Sequence, residues 1–281
     1  MKFGLNALLY TAEFSNATLD LVAKVADLGF DGIEIPFISL DIIDPRATRG
    51  ALERAGIGAT GCAVLVPGAN LISADPAQRK AGVDRLKRCV AIAAEMGADA
   101  VAGPLYAPVG QLTGRARTAE EWQRATDGLR AAAEAAGHAG VFLAIEPLNR
   151  FETYFLNTAR DALALVRAVG HPALKVQLDT FHANIEEKDT AAAIRALGSD
   201  LGHFHASESD RGTPGTGQVH WAEAFAALRE IGYDGWVTIE SFATGIVDLC
   251  AAACIWREIY SSADGLATEG LAFLRRATGV A

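Results

Sequence analysis

Short apolar runs that stop on an ionisable residue recur through the second half of this chain, and they restrict its fold more than any other feature. Val141-Phe142-Leu143-Ala144-Ile145 runs into Glu146, and Pro147 follows. Leu174 to Leu178 ends in Asp179, Leu201 to Phe204 in His205, and Trp236 to Ile239 in Glu240. A continuous apolar run between glycine signals reads as a strand buried on both faces, the pattern of a parallel sheet. Pro147 cannot donate to a ladder, so the strand before it ends there. A carboxylate at such a position is too costly to leave unpaired and needs a cation, a donor or a part in chemistry.

A repeated phrase introduces the runs: a helix end, a glycine, then a short apolar stretch. Leu28-Gly29-Phe30-Asp31-Gly32-Ile33-Glu34-Ile35 is one copy, Met96 to Gly103 another, and Ile231 to Val237 the last. Each glycine suits the left-handed residue that closes a helix. Strands are predicted from Phe3 to Leu8, Gly32 to Ile35, Gly58 to Ala63, Ala100 to Gly103, Val141 to Ile145, Leu174 to Leu178, Leu201 to Phe204 and Trp236 to Ile239. Eight strands alternating with helical patterns over 281 residues predict an α/β chain folded as a (β/α)8 TIM barrel. With no linker or low-complexity tract, residues 1–281 read as a single domain, and a helical tail over 246–278 is expected to cover an edge or meet another subunit. Two connections, Tyr106 to Thr118 and Ser207 to Val219, are longer than a barrel requires. Both leave the carboxyl ends of strands, where barrel enzymes keep their chemistry, and are candidate substrate walls or lids.

Charge and cysteine content remove several classes. The net charge of −9 comes with no basic stripe, which argues against nucleic acid and, more weakly, against phosphorylated substrates. Cys62, Cys89, Cys250 and Cys254 do not make a Cys-x-x-Cys pair set, so all four are expected to be buried thiols of a reducing compartment. No leader-like start and no run near the ~20 apolar residues of a membrane span is found. A soluble, cytoplasmic protein is expected.

Glu146, Asp179, His205 and Glu240 end four successive strands, so closure of the barrel would bring them to one rim. Three carboxylates cannot crowd together without large pKa shifts or a cation between them. A divalent metal resolves the conflict, and three oxygens with one nitrogen suit Mn²⁺, Co²⁺ or Mg²⁺. Glu152, His182 and Arg211 lie a few residues beyond these positions and offer donors and acceptors for several hydroxyls. Glu34 is a candidate for a distal hydroxyl or a rim ion pair.

Glu146-Pro147-Leu148-Asn149-Arg150-Phe151-Glu152, Leu178-Asp179-Thr180-Phe181-His182-Ala183-Asn184, His203-Phe204-His205-Ala206-Ser207-Glu208 and Ile239-Glu240-Ser241-Phe242 together resemble the D-tagatose 3-epimerase family of ketose 3-epimerases. The likeness runs over nearly the whole chain. It implies a xylose-isomerase-like barrel and a divalent metal, Mn²⁺ foremost, on Glu146, Asp179, His205 and Glu240. It implies a free ketose as substrate, bound by Glu152, His182 and Arg211 with Phe242 as an apolar wall, and a homodimer or homotetramer. It further implies epimerisation at C3 through an enediolate, with Glu146 and Glu240 as the two proton carriers. Aldose–ketose isomerisation, as in hydroxypyruvate or rhamnose isomerase relatives, is the alternative. Asp210, next to Arg211, departs from the family pattern and is placed to pair with that arginine. The first strand ends in Asn6-Ala7-Leu8 rather than an aromatic residue, with Tyr10 just beyond.

Overall fold

In the computed structural model, residues 1–279 are described. Eight parallel strands close into a barrel in chain order: β1 Lys2–Asn6, β2 Gly32–Phe37, β3 Gly58–Ala63, β4 Ala100–Gly103, β5 Phe142–Ile145, β6 Leu174–Asp179, β7 Leu201–Ala206 and β8 Trp236–Ile239. The helices are α1 Asp20–Asp27, α2 Pro45–Ala55, α3 Pro76–Met96, α4 Ala119–Ala139, α5 Ala159–Val169, α6 Thr180–Glu186, α7 Thr190–Leu197, α8 Trp221–Glu230, α9 Val247–Ala253 and α10 Ala263–Thr278. The (β/α)8 expectation holds, and strand ends differ from the predicted ones by no more than two residues.

Local chemistry accounts for the punctuation. Gly56, Gly97, Gly140 and Gly170 close α2 to α5 in the left-handed conformation, with φ between 67° and 82°. Asp44 and Asp75 cap the amino ends of α2 and α3, each followed by a proline at the helix start. Thr118 and Glu121 cap α4 reciprocally. Gly103 is a glycine by necessity: its φ is +129°, and a Cβ there would lie 2.3 Å from the Ala63 carbonyl oxygen.

The barrel interior is built in layers. Trp236 forms the floor, its indole filling the space beside Gly32 and Gly58, where a Cβ would come within 2.3 and 3.0 Å of it. Nearer the carboxyl ends lies a polar layer of Asn6, Glu34, Thr60, Gln177 and His203, all buried. Register builds that layer, because Asn6 pairs with Glu34, Glu34 with Thr60, and Gln177 with His203. The same register sets Asp179 beside His205 at the rim.

The tail over 246–278 divides in two. α9 lies over the mouth of the barrel, where Leu249, Ala252 and Ala253 face the cavity. α10 buries Leu266, Leu271 and Leu274 beside β8 and α8 and so completes the helical ring. Two cysteines depart from expectation: Cys62 and Cys89 are buried, but Cys250 is half-buried and Cys254 exposed, all four free. The reason is that α9 buries no residue fully.

Candidate active site

Glu146 and Glu240 directly follow β5 and β8, and Asp179 and His205 lie at the ends of β6 and β7. All four are buried. Glu146, His205 and Glu240 line a cavity of about 480 Å³ at the carboxyl ends of the strands, together with Glu152, Gln177, His182, Arg211 and Phe242. That volume lies within the usual range for small-molecule sites. His205 Nδ1 is 3.4 Å from Glu240 Oε1 and 3.8 Å from Asp179 Oδ2. Two groups of potential ligand atoms, Asp179–His205–Glu240 and Glu146–Asp179–His182, each fit within 4.8 Å, and Asp179 belongs to both. Among the described residues, Glu146 Oε1 has no hydrogen-bond partner although it is buried. Buried carboxylate oxygens are seldom left so, and this one lies beside two further acids. An oxygen-rich set with one imidazole and an unsatisfied carboxylate suits a divalent cation, so these residues could hold a metal.

The two strand-end glutamates have opposite surroundings. Burial and the nearby charge of Glu240 push the Glu146 carboxyl well above the usual carboxylate range. Burial would raise Glu240 too, but Arg211 and His205 outweigh it and hold Glu240 below that range. Arg211 Nη1 donates to Asp179 Oδ2 at 2.9 Å and to Glu240 Oε2. Its guanidinium sits 4.1 Å from the Phe181 ring and 5.0 Å from the Phe242 ring, an arrangement that favours a buried cation. Arg211 also adopts φ 66°, uncommon for a residue with a side chain and typical of functional positions.

Asp210 points elsewhere. The expected pairing with Arg211 is not formed: Asp210 accepts from Arg257 at 2.8 Å and from the Gly212 N–H at 2.9 Å. The left-handed turn at Arg211 sends the two neighbouring side chains in different directions. Tyr10 likewise leaves the cavity and donates to Asp264 at 2.8 Å. The turn directly after β1 contributes Leu8 to the cavity wall instead.

His182 is neutral in its buried setting, its pKa pushed down to about 3 by burial. The Asn149 N–H donates to His182 Nδ1 at 3.1 Å, which assigns the ring proton to Nε2. That Nε2 lies 3.8 Å from Glu146 Oε1. Arg211 Nη2 is 3.4 Å from the same nitrogen, but with both atoms carrying protons this contact is not a hydrogen bond. Glu152 accepts from Asn149 Nδ2 at 2.7 Å, and burial raises its carboxyl against a smaller opposing pull from Arg211.

Several site residues escape a reading of the strand ends alone. Gln177 lies two residues before Asp179 and touches His205 Nδ1 at 3.0 Å. Glu34 serves neither a distal hydroxyl nor the rim: it is fully buried, 2.7 Å from both His205 Nε2 and His203 Nε2. Burial would raise its carboxyl, but His205 and His203 overcome this and hold it low. The available signal is period two, which puts 177 with 179 and 203 with 205 on one face.

A family model described as "Xylose isomerase-like TIM barrel" matches residues 22–277. A "probable ketose 3-epimerase" of Synechocystis sp. is 36% identical over 276 residues, covering 98% of this chain and 96% of that protein. A "D-psicose 3-epimerase" of Agrobacterium fabrum is 35% identical, covering 94% of this chain and 93% of its own. A crystal structure of D-allulose 3-epimerase from Methylomonas sp. in complex with D-allulose superposes with a TM-score of 0.94 at 32% identity, covering 99% of this chain and 97% of that one. The chain belongs to the xylose isomerase-like TIM barrel family and, within it, to the ketose 3-epimerases. It is therefore an isomerase of the epimerase class.

Proposed function

We propose that this protein interconverts free ketoses at C3 in a reaction that depends on a divalent metal held by Glu146, Asp179, His205 and Glu240. The observation that carries the reading is the buried Glu146 Oε1, without a partner among the described residues, in the lining of a cavity that Glu240 also lines. Three oxygen donors and one imidazole favour Mn²⁺, with Co²⁺ and Mg²⁺ as substitutes. A bound dication supplies Lewis-acid polarisation of the C2 carbonyl, which acidifies the C3–H.

The protein's own groups do the rest. Glu146 and Glu240 stand on strands three apart round the barrel and can flank a flat enediolate. One carboxylate takes the C3 proton and the other returns a proton to the opposite face, the order depending on the configuration of the sugar. His182 presents its Nε2–H to the cavity as a donor for a substrate oxygen, and Arg211 adds positive charge near the same place. Glu152 accepts from a hydroxyl, while Phe242 lines the apolar side. The chain has relatives named for D-psicose and L-ribulose epimerisation, so the substrate range falls among the D-tagatose/D-sorbose, D-fructose/D-psicose and L-ribulose/L-xylulose pairs. The exposed Phe151, Val247 and Trp256 support a homodimer or homotetramer, and we place the protein in the cytoplasm.

The test is turnover of these ketoses in D₂O by chelated protein with Mn²⁺ restored. Deuterium is expected at C3, with no turnover before metal is added. Label confined to C1 overturns the reading in favour of aldose–ketose isomerisation.

A further inference from the structure

The buried layer beneath the rim holds a carboxylate that the proposed chemistry does not use. Glu34 Oε1 accepts from Asn6 Nδ2 at 2.9 Å and lies 2.7 Å from His205 Nε2. Glu34 Oε2 accepts from Thr60 Oγ1 at 2.9 Å and lies 2.7 Å from His203 Nε2. The last contact is close but angled away from the imidazole N–H direction, leaving His203 Nε2 without a directed hydrogen bond. The orientation of the Asn6 amide is fixed independently, because its Oδ1 accepts from the Leu8 N–H at 2.9 Å. Its NH₂ must therefore face Glu34, and Glu34 is an acceptor at that oxygen. An ionised carboxylate accepts only, with about four lone-pair sites. Asn6, His205 and Thr60 direct donors at three of these sites, and His203 Nε2 crowds the fourth.

One consequence follows for His205. Its Nε2 must carry the proton that faces Glu34 Oε1. Its Nδ1 then carries the ring's one lone pair and points toward Asp179 and Glu240; in this structure Gln177 Nε2 donates to it at 3.0 Å, and a cation would take that amide's place. The ring of His203 meets the ring of His205 edge-on, with centroids 5.0 Å apart and planes at 71°, which blocks rotation of the imidazole.

We propose that Glu34, backed by His203, is a positioning residue that fixes the tautomer and orientation of His205 so that Nδ1 is presented to the metal. Glu34 touches neither substrate nor metal. It acts through one imidazole, as the carboxylate partners of metal-binding histidines do in general. The inference rests on the metal-site reading above, and the experiment separates the two.

Mn²⁺ affinity is measured for wild type and Glu34→Gln by competition with a chromophoric chelator. A glutamine offers a carbonyl on one side and an NH₂ on the other, so one imidazole loses its acceptor. Affinity is expected to fall by ~10–100-fold. Equal affinities overturn this inference alone, while wild type that binds no Mn²⁺ overturns the metal-site reading and this inference with it. A second measurement needs no substitution and covers the case of a variant that fails to fold. In ¹⁵N-histidine-labelled wild type loaded with diamagnetic Zn²⁺, ring ¹⁵N–¹H spectra are expected to place the His205 proton on Nε2. A proton on Nδ1, with the metal on Nε2, overturns the inference.

Discussion

The two halves of the barrel rim are built from different chemistry. From β5 to β8, strand ends and the loops after them bring Glu146, Glu152, His182, His205, Arg211 and Glu240 to the cavity. From β1 to β4 the same rim supplies Leu8, Ile38, Val64, Val66 and Pro104, and its polar residues Asn6, Glu34 and Thr60 sit one layer deeper. The difference gives the cavity a polarity. A ligand with one polar reacting end would be held there by the second half, while the first half, Gln111 apart, offers apolar contact surface. The first half still serves the second from beneath, through the bond from Glu34 to His205.

The largest expected effect lies in the charged arc. Glu146→Gln and Glu240→Gln should each lower kcat/KM by ~10²–10⁴-fold in excess Mn²⁺, as loss of a proton carrier does. Far-UV circular dichroism should be unchanged. Normal turnover by either variant would end the two-carboxylate scheme and make the two halves chemically alike.

A smaller effect belongs to the apolar arc. Val66→Ala removes two methyl groups from the cavity wall. Steady-state kinetics on a ketohexose should show KM raised up to ~10-fold with kcat within about a factor of two, the signature of binding lost equally from ground and transition states. A 100-fold drop in kcat would mean that the first half takes part in the reaction itself.

The same division decides what could be read before the fold was known. Strand-end charges are legible because an acid that stops an apolar run has no cheap explanation; Asp179, His205 and Glu240 form one close group, and Glu146 joins Asp179 and His182 in another. The barrel is legible because Gly97, Gly140 and their counterparts mark every return to a strand. The buried layer is not, because Asn6, Glu34, Thr60, Gln177 and His203 come from five strands and meet only on closure. Asp210 misleads for a related reason: adjacency in the chain suggests a partnership with Arg211 that the backbone turn at φ 66° undoes.

The smallest effect asks whether every charge in the second half serves chemistry. Glu208 does not reach the cavity lining. It is fully buried and accepts from the Ser209 N–H at 2.8 Å, the Gly215 N–H at 2.8 Å, the Val219 N–H at 3.1 Å and Trp221 Nε1 at 3.0 Å. One carboxylate thus ties the whole Ser207 to Val219 connection to the start of α8, and a Cβ at Gly217 would come within 2.5 Å of it. Burial alone would raise the Glu208 carboxyl, but these N–H donors outweigh it and hold it below its ordinary value. Its stabilisation is therefore fully present above the unfolded-state pKa of about 4.3 and is lost as pH falls through the lower folded value. Glu208→Gln should cost ~1–3 kcal/mol near neutral pH, read as a lowered Tm, because charged acceptors make the stronger hydrogen bonds. The gap between variant and wild type should close as the pH is taken down into the acid range. Turnover of the folded variant at low temperature should change far less than for Glu146→Gln. A Glu208 variant with unchanged Tm but abolished turnover would move this carboxylate from the scaffold into the chemistry and erase the distinction between the two kinds of buried charge.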